Sequence, residues 1–300
     1  MKICFVYSNR AEYSILSPFI SYFKKRNPSK NIKVINLHKN IKAINHDKNL
    51  SKIYSFCFQE FVKNKYNYVC ILGDRKELSF IALAAFHTDT NLVHIAAGEF
   101  TQGIPTHDQY IRPIISILSK YQICFSNQAK QEVKKLFDGI SYLKPKVYVF
   151  GNPVFAEINV NSIKRSIDDN YDLVLLHPQS LSREHTKQDL IVLRKKLQNK
   201  KTIFIEGNKD KNYDLIENFY KKLKGNSNYI FLKSLPKEKY FSFVKYCDNF
   251  YTNSSSISEI KFLNKKCLYK IGLRNKHRFE SKLDDHSPIK LYNLLRKSLT

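Results

Sequence analysis

Three hundred residues, 43% of them hydrophobic, exceed what a single core usually organises and set an expectation of two domains. The formal charge of +25 would suit nucleic acid or an anionic membrane, but lysines far outnumber arginines and spread over predicted helix faces. That distribution argues against both partners and leaves a small anionic ligand as the better match. No apolar run reaches a membrane span, and the opening Met1-Lys2-Ile3-Cys4-Phe5-Val6-Tyr7 turns polar too soon for a signal peptide, so a cytoplasmic chain is expected.

The first half alternates short apolar runs with helical patterns. Strands are predicted at Lys2–Tyr7, Ile32–Leu37, Tyr68–Leu72, Leu92–Ala96, Tyr121–Phe125 and Lys146–Phe150. Helices are predicted at Glu12–Lys25, Leu50–Lys63, Lys76–Phe86, Ile111–Leu118 and Gln128–Phe137. Runs that are apolar throughout are the mark of strands buried on both faces of a parallel sheet. After Gly151-Asn152-Pro153, a turn near the expected boundary, the theme repeats. Strands follow at Leu173–Leu176, Thr202–Ile205, Tyr229–Leu232, Asn249–Tyr251 and Cys267–Ile271. Helices follow at Lys187–Leu197, Tyr213–Leu223, Lys237–Cys247, Ser258–Leu263 and Pro288–Leu299. The expected fold is α/β with two Rossmann-like domains, residues 1–155 and 156–300, whose parallel sheets face across a cleft in the GT-B architecture. The last helix is expected to pack back on the N-terminal domain. Six scattered cysteines without a C-x-x-C pair read as small buried hydrophobes in a reducing compartment.

Ligands of open parallel sheets bind beyond the carboxyl ends of the strands, and five polar clusters fall there. Ser8-Asn9-Arg10-Ala11-Glu12-Tyr13 follows the first strand, where Arg10 and a helix start favour an anion, or Asn9 serves as a plain cap. Gly73-Asp74-Arg75-Lys76-Glu77 offers Asp74 as an acid–base group or as a cap. His94-Ile95-Ala96-Ala97-Gly98-Glu99, with Thr106-His107-Asp108 and Arg112, gathers two carboxylates around one strand end. Its spacing is poor for a metal. His177-Pro178-Gln179 places an imidazole in reach of a phosphate or merely in a polar loop. Thr252-Asn253-Ser254-Ser255-Ser256-Ile257-Ser258-Glu259 sets hydroxyls and N–H groups at a helix start, a cradle suited to a diphosphate.

Taken in order, these clusters resemble the UDP-N-acetylglucosamine 2-epimerase family, in particular its hydrolysing branch of the sialic and legionaminic acid type. The resemblance runs through Ser8–Tyr13, Gly73–Glu77, His94–Glu99, Asp108-Gln109-Tyr110-Ile111-Arg112, His177-Pro178 and Asn253–Glu259. It ends on Ile271-Gly272-Leu273-Arg274-Asn275-Lys276-His277-Arg278. It implies a UDP-N-acetyl sugar as substrate, loss of the C2 proton with expulsion of UDP from C1, and water addition to the resulting glycal. The resemblance makes Asp74 and Asp108 the acid–base carboxylates and Glu99 a third acidic group that orients sugar hydroxyls or water. Arg10, Arg112, His177, Ser254, Ser255 and Arg274 would hold substrate, and Glu259 the ribose. No metal or organic cofactor is implied, and family members are often homodimers. Two departures stand out: Ala96 occupies a position where many relatives carry a catalytic glutamate, and the glycine-rich segment is reduced to Glu206-Gly207-Asn208-Lys209-Asp210-Lys211. A catalytically weakened UDP-sugar-binding homologue and a GT-B glycosyltransferase are the alternatives.

Overall fold

The computed structural model describes the chain apart from residues 42–49, 101–106, 141, 208, 234, 266, 277 and 300; for Ser29, His107 and Asp108 it describes the backbone only. The chain forms two compact units. The first comprises Met1–Phe100, His107–Glu157 and Ser281–Thr300, and the second Ile158–Glu280.

The first unit is built on β1 (Ile3–Tyr7), β2 (Ile32–Asn36), β3 (Tyr68–Leu72), β4 (Asn91–Ile95), β5 (Tyr121–Cys124) and β6 (Lys146–Val149). All pair in parallel, in the order β2-β1-β3-β4-β5-β6. Its helices are α1 (Arg10–Arg26), α2 (Leu37–Asn40), α3 (Leu50–Asn64), α4 (Lys76–His87), α5 (His107–Leu118) and α6 (Asn127–Leu136), with a closing helix at Ser287–Lys297. Alternate strand residues feed two cores. Ile3, Phe5 and Cys70 pack with Leu16, Phe19 and Phe23 of α1 and Leu291 and Leu295 of the closing helix. Cys4, Val6, Val69 and Ile71 pack on the other face with Ile53 of α3, Ile81 of α4 and Ile115 of α5. Both faces are covered, which is why the strands are apolar throughout. The closing helix is tied in by polar contacts as well: the Tyr68 hydroxyl donates to the Leu295 carbonyl (3.1 Å) and Ser287 Oγ to the Gly151 carbonyl (2.7 Å).

The second unit holds β7 (Asp172–Leu175), β8 (Thr202–Ile205), β9 (Tyr229–Leu232), β10 (Phe250–Thr252) and β11 (Leu268–Lys270), parallel in the order β11-β10-β7-β8-β9. Its helices are α7 (Arg183–Lys196), α8 (Tyr213–Leu223), α9 (Lys237–Tyr246) and α10 (Ile257–Asn264). Leu173, Leu175 and Ile203 pack with Phe243 of α9 and Ile260 of α10. Val174, Leu176 and Phe204 pack with Leu193 of α7 and Ile216 of α8 on the opposite face.

Each sheet reverses its winding once, between β1 and β3 in the first unit and between β7 and β10 in the second. These are the places where a doubly wound sheet opens a crevice for a ligand. Two helices begin a turn ahead of their predicted starts: α5 at His107 instead of Ile111, and α7 at Arg183 instead of Lys187. Their first turns are polar and carry no apolar period. All six cysteines are buried thiols. Among the described residues no helix is long and apolar enough to cross a membrane.

Candidate functional site

In the first unit the polar residues gather at the carboxyl ends of β1, β3 and β4. Gly73 leaves β3 with φ of +91° and donates its N–H to the Ile95 carbonyl (3.0 Å), which turns the chain so that Asp74 follows directly. His94 braces the same turn from inside the sheet. Its Nε2 lies 2.7 Å from the Gly73 carbonyl and its Nδ1 2.9 Å from Ser116 Oγ on α5. Burial pushes this histidine down to about 4, so it is neutral at physiological pH. Nε2 must then carry the proton it gives to Gly73, leaving Nδ1 to accept from the Ser116 hydroxyl.

Asp74 forms an ion pair with Arg112 of α5, and the same guanidinium donates through Nη1 to the Ala96 carbonyl (2.5 Å). Arg112 is 8% exposed and so meets both partners inside the protein. Ala96 has a left-handed backbone, φ of +60°, a conformation that is costly for a side chain with a Cβ and that brings its carbonyl to Arg112. Two residues on, Gly98 has φ of +71° and presses against the Ala129 carbonyl of α6, where a Cβ would collide. Glu99 follows, buried; together with burial, its charge helps push the Cys124 thiol up to about 12. Asp74 follows β3 and pairs with Arg112, and Glu99 follows β4, so these three stand at the same end of the first sheet.

Asp108 stands in the first turn of α5, four residues before Arg112. Its side chain lies outside the described residues. Arg10 is exposed at the first position of α1. Beside it, Glu12 is buried and accepts from Ser8 N–H (2.7 Å) and Asn9 Nδ2 (2.9 Å), while Asn9 Oδ1 accepts from Glu12 N–H (2.9 Å). This is a reciprocal cap of the α1 start. Burial pushes Glu12 up to about 7 against those hydrogen bonds and the pull of Arg75.

In the second unit three loops meet beyond the ends of β7, β10 and β11. His177 and Asn253 are joined twice: His177 N–H donates to Asn253 Oδ1 and Asn253 Nδ2 donates to the His177 carbonyl, both at 2.8 Å. This pair spans the β7–β10 reversal. The His177 ring is pushed down to about 3 by burial and by Arg274. Gly207 lies so close to it that a Cβ would collide with the Leu176 carbonyl and come 3.0 Å from His177 Nδ1. The one glycine left in the eroded segment is thus the position that needs it.

Thr252 Oγ1 donates to the Leu175 carbonyl (2.7 Å) and accepts from Ser254 N–H (3.0 Å). Ser254 is buried, and its Oγ accepts from Ser256 N–H (3.3 Å) within the loop; Ser255 is exposed at the tip. Glu259 is buried in the first turn of α10, and its charge reaches Tyr240 of α9. Arg274, half-buried, follows Gly272, whose φ is +67°. Asn275 Nδ2 donates back to the Asn253 carbonyl (2.5 Å). Of the predicted substrate-binding residues, His177, Ser254, Ser255, Glu259 and Arg274 therefore belong to this unit, and Arg10 and Arg112 to the first. Sequence reasoning placed Asn253 only as part of the serine-rich loop and did not single out Asp189, a buried carboxylate on α7 that touches the same loops.

The sequence profile of the UDP-N-acetylglucosamine 2-epimerase family matches residues 20–283. Polysialic acid biosynthesis protein P7 of Escherichia coli is 29% identical over 237 residues, 73% of this chain and 58% of that protein. The GDP/UDP-N,N'-diacetylbacillosamine 2-epimerase (hydrolyzing) of Campylobacter jejuni is 30% identical over 229 residues, 71% of this chain and 58% of that protein. The chain thus spans 58% of the length of either relative. Among solved structures, UDP-GlcNAc 2-epimerase of Methanocaldococcus jannaschii in complex with UDP-GlcNAc and UDP matches with a TM-score of 0.76 at 18% identity, over 99% of this chain and 100% of that one. The Neisseria meningitidis enzyme bound to UDP-GlcNAc matches with a TM-score of 0.71 at 17% identity, over 99% and 92%. At these identities the likeness is one of fold, the GT-B-like pair of parallel α/β sheets. The chain belongs to the UDP-N-acetylglucosamine 2-epimerase family.

Proposed function

We propose that the protein is a hydrolysing UDP-sugar 2-epimerase acting on UDP-N-acetylglucosamine or a UDP-diacetamido sugar. The reaction removes the proton at C2 and breaks the C1–O bond, so that UDP leaves and a C1=C2 glycal remains. Water then returns a proton to C2 on the opposite face and a hydroxyl to C1, giving the C2-epimerised free sugar. The observation that carries this reading is the Asp74–Arg112–Ala96 clamp: a carboxylate at the end of β3, paired with and fixed in direction by a buried guanidinium.

In this reading Asp74 exchanges a proton with the sugar and Asp108 serves as its partner carboxylate. Glu99 orients the sugar hydroxyls or the incoming water. The leaving diphosphate needs positive charge and hydrogen-bond donors, and His177, Ser254, Ser255 and Arg274 of the second unit are the groups suited to supply them. Glu259 takes the ribose. A neutral His177 suits hydrogen bonding to phosphate without a buried charge.

The test is proton NMR of the purified protein with UDP-N-acetylglucosamine in deuterated water. Free UDP and a free sugar deuterated at C2 are expected. Ala96, at the position where many relatives carry glutamate, favours the second reading, a UDP-sugar-binding protein without turnover. Tight UDP binding with intact substrate and no C2 deuterium would establish that second reading and overturn the first.

A further inference from the structure

We propose that Asp189 is a positioning residue that holds the three loops beyond β7, β10 and β11 in the one arrangement that binds a nucleoside diphosphate. The proposal rests on the nucleotide reading above for its ligand, but not for its geometry.

Asp189 lies on α7, away from the motifs, and is 5% exposed. Its Oδ2 accepts from Gln179 Nε2 (3.2 Å) in the loop after β7 and from Asn253 Nδ2 (3.1 Å) in the loop after β10. Its other oxygen lies against Gly272 in the loop after β11, so closely that a Cβ there would fall on the carboxylate. One side chain therefore touches all three loops.

The contact with Asn253 sets a direction. An acceptor at Oδ2 fixes which side of the Asn253 amide carries the NH2 group, and so makes Oδ1 face the His177 N–H. Both bonds that join His177 to Asn253 depend on that choice, and His177 and the serine loop are registered through them. Gly272 and Asn275 then fix where Arg274 leaves the strand. Leu176 and Ile271 root two of these loops in the core, and beyond them the polar contacts of Asp189 join all three.

The hub is sensitive to protonation. Burial pushes Asp189 up to about 6, against the hydrogen bonds from Asn253 and Gln179. Among the described residues the charged or titratable groups that act on it are His185 one turn earlier on α7 and Arg274 beyond β11, while Asn253 and Gln179 present neutral amides. Ionised, Asp189 accepts from both amides. Protonated, it is an uncharged and weaker acceptor, and a proton on Oδ2 would oppose both amide NH2 groups.

Asp189→Asn preserves the shape and removes the charge. At pH 7.5 the variant is expected to bind UDP roughly tenfold more weakly than the wild type, the size of effect lost with a hydrogen bond to a buried charge. The ratio of the two affinities should shrink toward unity at pH 5, where wild-type Asp189 is itself protonated; titration of UDP cancels in that ratio. Equal affinities at pH 7.5, or a ratio indifferent to pH, would overturn the proposal. A second measurement needs neither the variant nor UDP. In the wild type, amide exchange of residues 177 and 179, 252–254 and 272–274, corrected for intrinsic rates, should rise together between pH 7.5 and 5. Loosening of one segment alone would overturn the hub. A wild type that fails to bind UDP would refute the nucleotide reading while the exchange experiment still decides the role of Asp189.

Discussion

Arg112 and His94 act on neighbouring pieces of one turn by different means. Arg112 bonds the Asp74 carboxylate and the Ala96 carbonyl directly, whereas His94 bonds the Gly73 carbonyl from beneath. The sequence made Asp74, Glu99 and Arg112 visible because they stand in motifs at strand ends. His94 stood in the same motif, yet a histidine inside an apolar strand gives no sign of whether it faces substrate or packs inward. Replacing it with phenylalanine leaves the Gly73 carbonyl and the Ser116 hydroxyl without their partner and is expected to cost roughly 2–3 kcal/mol. The pH dependence separates this from a simple packing defect. His94 titrates at about 4 in the folded chain against an ordinary histidine value of 6.5, so the folded state resists its protonation. The stability it contributes is complete above pH 6.5 and is lost as pH falls toward 4, by up to roughly 3 kcal/mol. Glu12 runs the other way: raised from 4.5 to about 7, it contributes stability at low pH that is lost as pH rises through that window. The melting-temperature gap between wild type and His94→Phe should therefore narrow from pH 7 to pH 5. A gap that stays constant would mean that His94 is not held neutral.

At the scale of elements, the strands were legible because burial on both faces leaves an unbroken apolar run, as in Tyr68–Leu72, where expectation and structure coincide. Helix starts were less so. The first turn of α7, Arg183-Glu184-His185-Thr186, is polar and is set by Ser182 Oγ accepting from His185 N–H (3.3 Å), a signal that hydrophobic periodicity does not contain. The same holds for the loops of the second unit, whose geometry depends on Asn253 and Asp189 across 64 residues of sequence. The closing helix carries the clearest energetic prediction. Leu295 is fully buried against the first sheet, and its carbonyl accepts from Tyr68. Leu295→Ala is expected to destabilise the first unit by roughly 2–5 kcal/mol, the ordinary range for a buried leucine. Urea denaturation followed by circular dichroism would show it as a lower midpoint; an unchanged midpoint would mean that the helix is not part of the cooperative fold.

For the whole molecule, the proposed reaction assigns a different part of the work to each unit. Each has its own reversal of strand order, and each gathers polar groups there: carboxylates and Arg112 in the first, hydroxyls, amides and His177 in the second. If the first unit carries the proposed proton transfer and the second the proposed nucleotide site, a change to Asp74 should leave nucleotide affinity almost untouched. Asp74→Asn is the sharpest case, because the amide keeps the size of the carboxylate and one oxygen for Arg112 while abolishing proton exchange. Turnover is expected to fall by roughly 10²–10⁴, the range for loss of a general acid–base group. The dissociation constant for UDP, measured by calorimetry on the same preparation, should stay within about twofold, since a hydrogen bond changed outside the nucleotide loops carries little of their binding energy. A parallel loss of UDP affinity would mean that Asp74 shapes the nucleotide site itself, and the assignment of proton chemistry to the first unit would fall with it.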